Sequence, residues 1–263
     1  MSISIAFVAL GEKPQLSAAE IQRDLQATWP SLPALGQAEK KDNTLAFSVG
    51  EAQVICGLMP AQIPWSDLQG PCATSWLWPE AASVLKQHKN HLIVTVMGDE
   101  NPLNRSKLLS MATASILATC QQAVGVYWGE ATLVISPKLF REFATQMLPG
   151  GLPLYIWVDF RIGKNENGGC SGFTTGLKAL GHMELETLNS PEPMGELRER
   201  FFGLACYLIE NGPVIHDGDT MGEDANERIK VSYSRSAFGH EGQVMRLDYS
   251  STALASKPWW RFW

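Results

Sequence analysis

The run Leu92–Met97 constrains the fold more strongly than any other feature of the sequence, because its residues are apolar and mostly β-branched. Such a run is typical of a strand that is buried on both faces, since a strand with one solvated face alternates apolar and polar side chains. The chain is therefore predicted to contain a sheet whose central strand is covered on both sides.

The residues before this strand predict a β-α-β-β-α-β order. The predicted elements are a strand at Ile3–Leu10, a helix from the capping box of Ser17 and Glu20 to about Trp29, hairpin strands at Leu45–Val49 and Val54–Met59, and a helix that ends at His88. Together with the buried strand they have the order of a ferredoxin-like unit. The segment Pro60–Pro71 is rich in proline and is predicted to be an ordered loop.

The later residues repeat this coarse order between positions 124 and 234, without repeating the sequence itself. We therefore expect an α+β fold of two ferredoxin-like (βαββαβ) halves, packed as one compact α/β sandwich. The predicted boundaries are 1–103 for the N-terminal half, 104–123 for a connecting helix, 124–250 for the C-terminal half and 251–263 for an aromatic C-terminal tail.

The charge and the cysteines limit the partners and the compartment. A net charge of -6 at pH 7 repels phosphate backbones, so nucleic acid is an unfavourable partner, whereas a basic protein is attracted. No stretch approaches the roughly 18 apolar residues of a membrane-spanning helix, so no membrane contact is expected. The five cysteines are widely spaced and form no CxxC pair, which favours reduced thiols and a cytoplasmic location.

The densest group of acidic side chains lies between His216 and Arg228. Its members are Asp217, Asp219, Glu223, Asp224 and Glu227. A calcium loop of the EF-hand type fails here, because Met221 and Arg228 occupy its fifth and twelfth positions. Three interpretations remain: an irregular metal site, a solvated loop, and an acidic surface that binds a partner protein.

A second pattern, Gly168–Gly172, has the glycine-cysteine-glycine outline of a nucleophile elbow, with Cys170 as the nucleophile and His182 as a conceivable base. A glycine- and asparagine-rich segment precedes the cysteine where a well-formed strand is needed, which favours a flexible turn. The sequence contains neither a nucleotide-binding glycine motif nor an HxH or HExxH metal motif. No cofactor, no metal and no catalytic residue are therefore predicted.

The chain ends in the segment Pro258–Trp263, which is unusual because chain ends are commonly polar. Aromatic residues and arginine dominate the energetically important positions of protein interfaces. Four residues of the tail are therefore candidates for partner binding: Trp259, Trp260, Phe262 and Trp263. The alternative is that the tail folds back onto the protein's own surface.

Several long strings in the chain resemble a bacterial family that is catalogued as a domain of unknown function. The strings are Met59–Pro79, Gly125–Glu130, Trp157–Arg161, Gly172–Leu177 and Glu210–Ile215, and the likeness extends over nearly the whole chain. Members of this family resemble genes that accompany type VI secretion, and the chain is similar to immunity proteins of the TsiT type. The resemblance implies a guard against a secreted nuclease toxin, and it supplies no catalytic residues.

The charge, the missing catalytic motifs and the resemblance together predict a protein-binding immunity protein that is not an enzyme. It would neutralise a type VI secretion nuclease toxin, its cognate secreted effector, by direct binding. One alternative is a hydrolase that uses the thiol of Cys170 or a metal held near Asp217. Another alternative is an adaptor or chaperone that binds the effector without neutralising it.

Overall fold

The computed structural model of the chain describes residues 2–166, 168–222 and 228–249. Contacts divide the chain into two compact units, of which the first ends at Trp157 and the second begins at Val158. Each unit combines a sheet with helices, which confirms the predicted α+β class. Within the described ranges, no helix is long and apolar enough to cross a membrane.

The first unit is built on a seven-stranded sheet with the order β2-β3-β4-β5-β1-β6-β7, in which all neighbours are antiparallel. Its strands are β1 (Ile3–Leu10), β2 (Glu39–Lys41), β3 (Thr44–Val49), β4 (Ala52–Met59), β5 (Asn90–Met97), β6 (Ala123–Trp128) and β7 (Leu133–Ile135). Its helices are α1 (Ala18–Thr28), α2 (Trp65–Thr74), α3 (Ala81–Leu85), α4 (Pro102–Thr119), α5 (Pro137–Met147) and α6 (Leu154–Trp157).

The apolar run that dominates the sequence is the central strand β5, as predicted, but only one of its faces is fully buried. Leu92, Val94 and Val96 are buried, whereas Ile93, Thr95 and Met97 on the other face are half-buried. Val94 of β5 lies opposite Ala6 of β1 and Cys56 of β4, and all three residues are buried. Helices α1, α4 and α5 pack against one another, and α4 also packs on β1 and β5. Helices α2 and α3 contribute Leu68 and Leu85 to a separate apolar cluster that includes Ala9 of β1.

Polar side chains begin the longer helices of this unit. Ser17 accepts a hydrogen bond from the Glu20 amide at the start of α1, as the capping box predicts. At α4 the cap is Asn101, whose side chain accepts from the amides of Leu103 and Asn104 and is followed by a proline at the first helical position. Helix α4 therefore begins earlier than the predicted start of the connecting helix.

The second unit is built on a six-stranded sheet with the order β11-β12-β13-β10-β9-β8. Its strands are β8 (Asp159–Lys164), β9 (Cys170–Thr175), β10 (Leu185–Ser190), β11 (Thr220–Met221), β12 (Ile229–Arg235) and β13 (Gln243–Tyr249). Strands β10 and β13 are parallel, and the other neighbours are antiparallel. Helix α7 (Met194–Asn211) packs on β8 and β9 and buries Leu197, Phe201 and Leu204.

The strand order differs from the ferredoxin-like halves that the sequence suggested. In a split β-α-β arrangement, the two strands joined by a helix are parallel and flank a third strand. Here β4 and β5 are direct antiparallel neighbours, and Met59 at the end of β4 pairs with His91 at the start of β5. The helices α2 and α3 between them therefore leave and return at the same end of the sheet and do not cross it.

The contacts also place the division of the chain later than the predicted halves 1–103 and 124–250. The helix expected at 104–123 is α4, which packs inside the first unit and does not connect two halves. Strand β6 pairs with β1, where Val126 lies opposite Val8, and β7 pairs with β6, although the sequence assigned both strands to the second half. The predicted tail, 251–263, lies outside the described residues.

The close packing of α3 on β6 yields a stability prediction. A Cβ added at Gly125 would lie 2.8 Å from Leu85 Cδ2 and 3.0 Å from Trp78 Cη2. We expect Gly125→Ala to lower the free energy of unfolding by about 1–3 kcal/mol, because the surrounding side chains must shift. Urea unfolding followed by fluorescence measures the change.

The matched control is Gly57→Ala in β4, where an added Cβ meets no described atom within 4 Å. Alanine at this position is expected to raise the free energy of unfolding by about 0.5–1 kcal/mol, because it loses less backbone entropy than glycine. Equal effects of the two substitutions would contradict the packing of α3 against β6.

Candidate functional site

The described part of the acidic segment runs beside strand β12. The amide of Gly218 donates to the carbonyl of Val231 at 2.9 Å, and the amide of Val231 donates to the carbonyl of Asp219 at 2.8 Å. The segment continues into β11, which pairs with β12. The backbone that carries the first two acidic residues is therefore held by the sheet and is not a freely moving loop.

The carboxylates of Asp217 and Asp219 each accept a backbone hydrogen bond and remain exposed. Asp217 Oδ1 accepts from the Tyr233 amide at 2.8 Å, and Asp219 Oδ2 accepts from the His216 amide at 2.7 Å. About half of the Asp219 side chain is exposed (51%). Burial, with the charges of Asp219 and Asp217 as smaller causes, raises the pKa of Tyr233. The segment thus presents negative charge in a defined position.

The other members of the predicted acidic group, Glu223, Asp224 and Glu227, lie outside the described residues. The same is true of the candidate residues of the tail, Trp259, Trp260, Phe262 and Trp263. In residues 2–166, 168–222 and 228–249, no group of three or more His, Cys, Asp or Glu side chains could hold a metal ion.

The structure does not bring Cys170 and His182 together. Cys170 is buried at the start of β9, whereas His182 follows a short 3-10 helix beyond the end of that strand at Thr175. A strand of this length spans roughly 17 Å. No hydrogen bond between described residues links the two side chains, and Cys170 does not lie at a strand-to-helix turn.

The second unit also contains a row of mainly polar side chains, here called the polar row, that the sequence did not predict. Neighbouring strands place five residues side by side on one face of the sheet, because residues directly opposite one another share a face. The row is Arg161 (β8), Phe173 (β9), Glu186 (β10), Arg246 (β13) and Ser232 (β12). Its centre is a carboxylate in the middle of a sheet, where an apolar residue is the usual choice.

Glu186 is wholly buried, and its carboxylate binds the loop that joins β12 to β13, here called the 236–242 loop. The Ser236 hydroxyl and the Ala237 amide donate to Glu186, the latter at 3.0 Å. Arg246 Nη2 donates to Glu186 at 3.4 Å and to the carbonyl of Arg235 at 2.7 Å. The charge of Glu186 is thus compensated by β13 and by the loop together.

Aromatic rings extend from this polar row to the surface of the second unit. The ring of Phe238, in the 236–242 loop, stacks on Phe173 with 4.7 Å between centroids. His240 meets Phe173 edge-on at 5.5 Å, and the guanidinium of Arg161 lies 5.5 Å from the Phe173 centroid. Phe238 is nevertheless 36% exposed. The loop therefore presents an aromatic side chain on a supported backbone.

Two further buried carboxylates stabilise neighbouring parts of the unit. Glu192 accepts hydrogen bonds from Arg200 Nε at 2.6 Å and from the Tyr249 hydroxyl at 3.1 Å, which ties the start of α7 to the end of β13. Burial, followed by the charge of Glu192, raises the pKa of Tyr249. Glu184 accepts from the amides of Gly176 and Lys178.

A signal for this polar row was present in the sequence. Glu184 and Glu186 alternate with Leu185 and Thr187, and in a strand such alternation places both glutamates on one face. The compensating residues Arg246 and Ser236 are distant in the sequence. Their proximity depends on the pairing of β10 with β13, which alternation alone does not predict.

Residues 173–248 match a family described as a domain of unknown function, DUF4261. The match begins in β9 and ends in β13, so it contains Phe173, Glu186 and the 236–242 loop. It is confined to the second unit, whereas the resemblance read from the sequence extended over nearly the whole chain. No curated protein and no solved structure matches the chain.

The partly buried His182 yields a prediction about pH. Burial lowers the pKa of His182 in the folded chain, so the unfolded chain binds its proton more readily. Neutral His182 therefore stabilises the folded chain at neutral pH. This contribution to the free energy of unfolding is lost as the pH falls from the unperturbed pKa of about 6.5 to the lower pKa of the folded chain. We expect His182→Gln to weaken this pH dependence.

Urea unfolding measures the effect at two pH values on either side of about 6.5. His91, whose pKa is also lowered chiefly by burial, leaves part of the dependence in place. The control is His216→Gln, because 74% of the His216 side chain is exposed. An unchanged pH dependence in the His182→Gln variant would contradict the assignment.

Proposed function

We propose that this protein is an immunity protein that binds and neutralises a nuclease toxin of type VI secretion. The observation that carries the proposal is the exposed negative charge of Asp217 and Asp219 on a backbone held by β12. Nucleases bind polyanionic substrates and commonly present positive charge around their active sites. An acidic protein surface is complementary to such a site.

The fixed backbone of the acidic segment favours binding for a physical reason. A flexible acidic segment loses conformational entropy when it is ordered at an interface, whereas a segment already held by the sheet loses less. The exposed carboxylates accelerate encounter with a basic surface, because complementary charges steer association. The segment thus has two properties that a binding surface needs, namely accessible charge and preorganisation.

Two further observations support the proposal. The sequence strings named in the first subsection resemble a family of unknown function whose members resemble genes that accompany type VI secretion, and the net charge of the whole chain is -6. The expected partner is the cognate secreted nuclease effector. Inhibition would then follow from direct contact between the two folded proteins, without a chemical step.

The proposal is tested by producing the toxin in cells with and without this chain. We expect the chain to restore growth and to form a complex with the purified, catalytically inactive toxin. A complex without rescue of growth would instead indicate an adaptor or chaperone. Neither rescue nor a complex would overturn the proposed function.

The contribution of the acidic segment is tested with the double variant Asp217→Asn/Asp219→Asn. Asparagine retains an oxygen that accepts the hydrogen bonds from Tyr233 and His216, so the fold is expected to persist. We expect association with the inactive toxin to slow by about three- to tenfold at low ionic strength. Stopped-flow or surface-based kinetics measures the rate.

The matched control is Asp42→Asn/Glu51→Gln, which also removes two negative charges, at two exposed acids of the first unit. Asp42 has a φ of 50°, a conformation that asparagine also adopts readily. The difference between the Asp217→Asn/Asp219→Asn variant and the wild type should shrink as salt is raised, because salt screens exposed charges. Equal slowing by the control would show that net charge, and not this segment, directs association.

A further inference from the structure

We propose that the 236–242 loop is a second, preorganised contact with the toxin, in which Phe238 inserts into an apolar pocket rimmed by carboxylates. This inference rests on the proposed function, since it names another surface for the same partner. The acidic segment beside β12 is complementary to a basic part of the toxin's surface. The loop is complementary to a different part of that surface, for three reasons.

The first reason is the position of Glu186. A wholly buried carboxylate is costly unless it is well compensated, and an apolar residue would serve the sheet equally well. Two of its hydrogen-bond donors, Ser236 and Ala237, belong to the loop. The hydroxyl of Ser236 also accepts from the amides of Phe238 and His240, each at 3.0 Å. The buried charge therefore holds the loop in one conformation.

The second reason is the support beneath Phe238. Its ring stacks on Phe173, which also contacts His240 and the guanidinium of Arg161. One side of the Phe238 ring is thus packed, while 36% of the residue remains exposed. A rigid aromatic side chain that loses little entropy on binding is the usual anchor of a protein interface.

The third reason concerns charge and identifies the chemistry of the partner surface. Two exposed cationic residues flank the loop: Arg235 immediately precedes it, and Lys178 Nζ donates to the carbonyl of Glu241 at 3.5 Å. Glu241 is the exposed acid of the loop itself. Arg161, one-third exposed beside Phe173, is ion-paired with Asp159 at 2.6 Å. The accessible positive charge of this surface therefore comes from Arg235 and Lys178. An apolar pocket with carboxylates on its rim is complementary to this arrangement.

The test compares Phe238→Ala with Tyr207→Ala, which removes another exposed aromatic ring, on α7 (47% exposed). We expect Phe238→Ala to weaken the Kd for the catalytically inactive toxin by about thirtyfold or more, the size of effect that defines a binding hot spot. Tyr207→Ala should bind as the wild type does. Calorimetry measures Kd, and the thermal unfolding of both variants shows whether they fold.

A second pair of variants tests preorganisation. Ser236→Ala removes the hydroxyl that links the loop to Glu186 while leaving Phe238 in place. Ser232→Ala is the matched control, because its hydroxyl binds Asp248 on the same face, outside the loop. We expect Ser236→Ala alone to weaken binding and to accelerate hydrogen exchange at the amides of Phe238 and His240.

The outcomes separate the two proposals. A wild-type chain that does not bind the toxin overturns the proposed function, and the loop contact with it. If folded Phe238→Ala binds as tightly as the wild type, or if Tyr207→Ala weakens binding equally, the loop contact is overturned while the proposed function stands. Selective loss of binding in Phe238→Ala and Ser236→Ala supports the contact.

Discussion

The charge of Glu186 needs compensation because its carboxylate is wholly buried in the sheet of the second unit. The compensating groups come from Arg246 in β13 and from Ser236 and Ala237 in the 236–242 loop. The carboxylate of Glu186 therefore connects β10 to β13 through an ion pair and to the 236–242 loop through two hydrogen bonds. The position of Phe238 at the surface depends on this link.

The second unit has two surfaces that differ in chemical character, one acidic and one aromatic. Near β11 and β12 it presents the carboxylates of Asp217 and Asp219, whereas the 236–242 loop presents Phe238 between cationic residues. Both surfaces are carried by backbone that the sheet or a buried charge holds in place. Protein interfaces combine charge that governs encounter with aromatic contacts that slow dissociation, and these two surfaces would supply one of each.

Local patterns in the sequence predicted several elements correctly, although the segment Pro60–Pro71, which was predicted to be a loop, contains most of helix α2. Ser17 caps α1 as expected, Leu92–Met97 forms most of the central strand β5, and β1 coincides with its predicted range, Ile3–Leu10. Strand order was not predictable in this way, because alternation indicates which face of a strand is buried and not which strand lies beside it. The direct antiparallel pairing of β4 with β5 is therefore a property of the folded chain.

The sequence by itself determined the α+β class, the strands β1 and β3–β5, the start of α1 and the acidic character of the segment near Asp217, because these follow from neighbours a few residues apart. Only the tertiary structure decided the division near Trp157 and the separation of Cys170 from His182. It alone also placed Glu186 beneath the 236–242 loop. These features depend on pairing between distant strands, for which short-range periodicity carries no information.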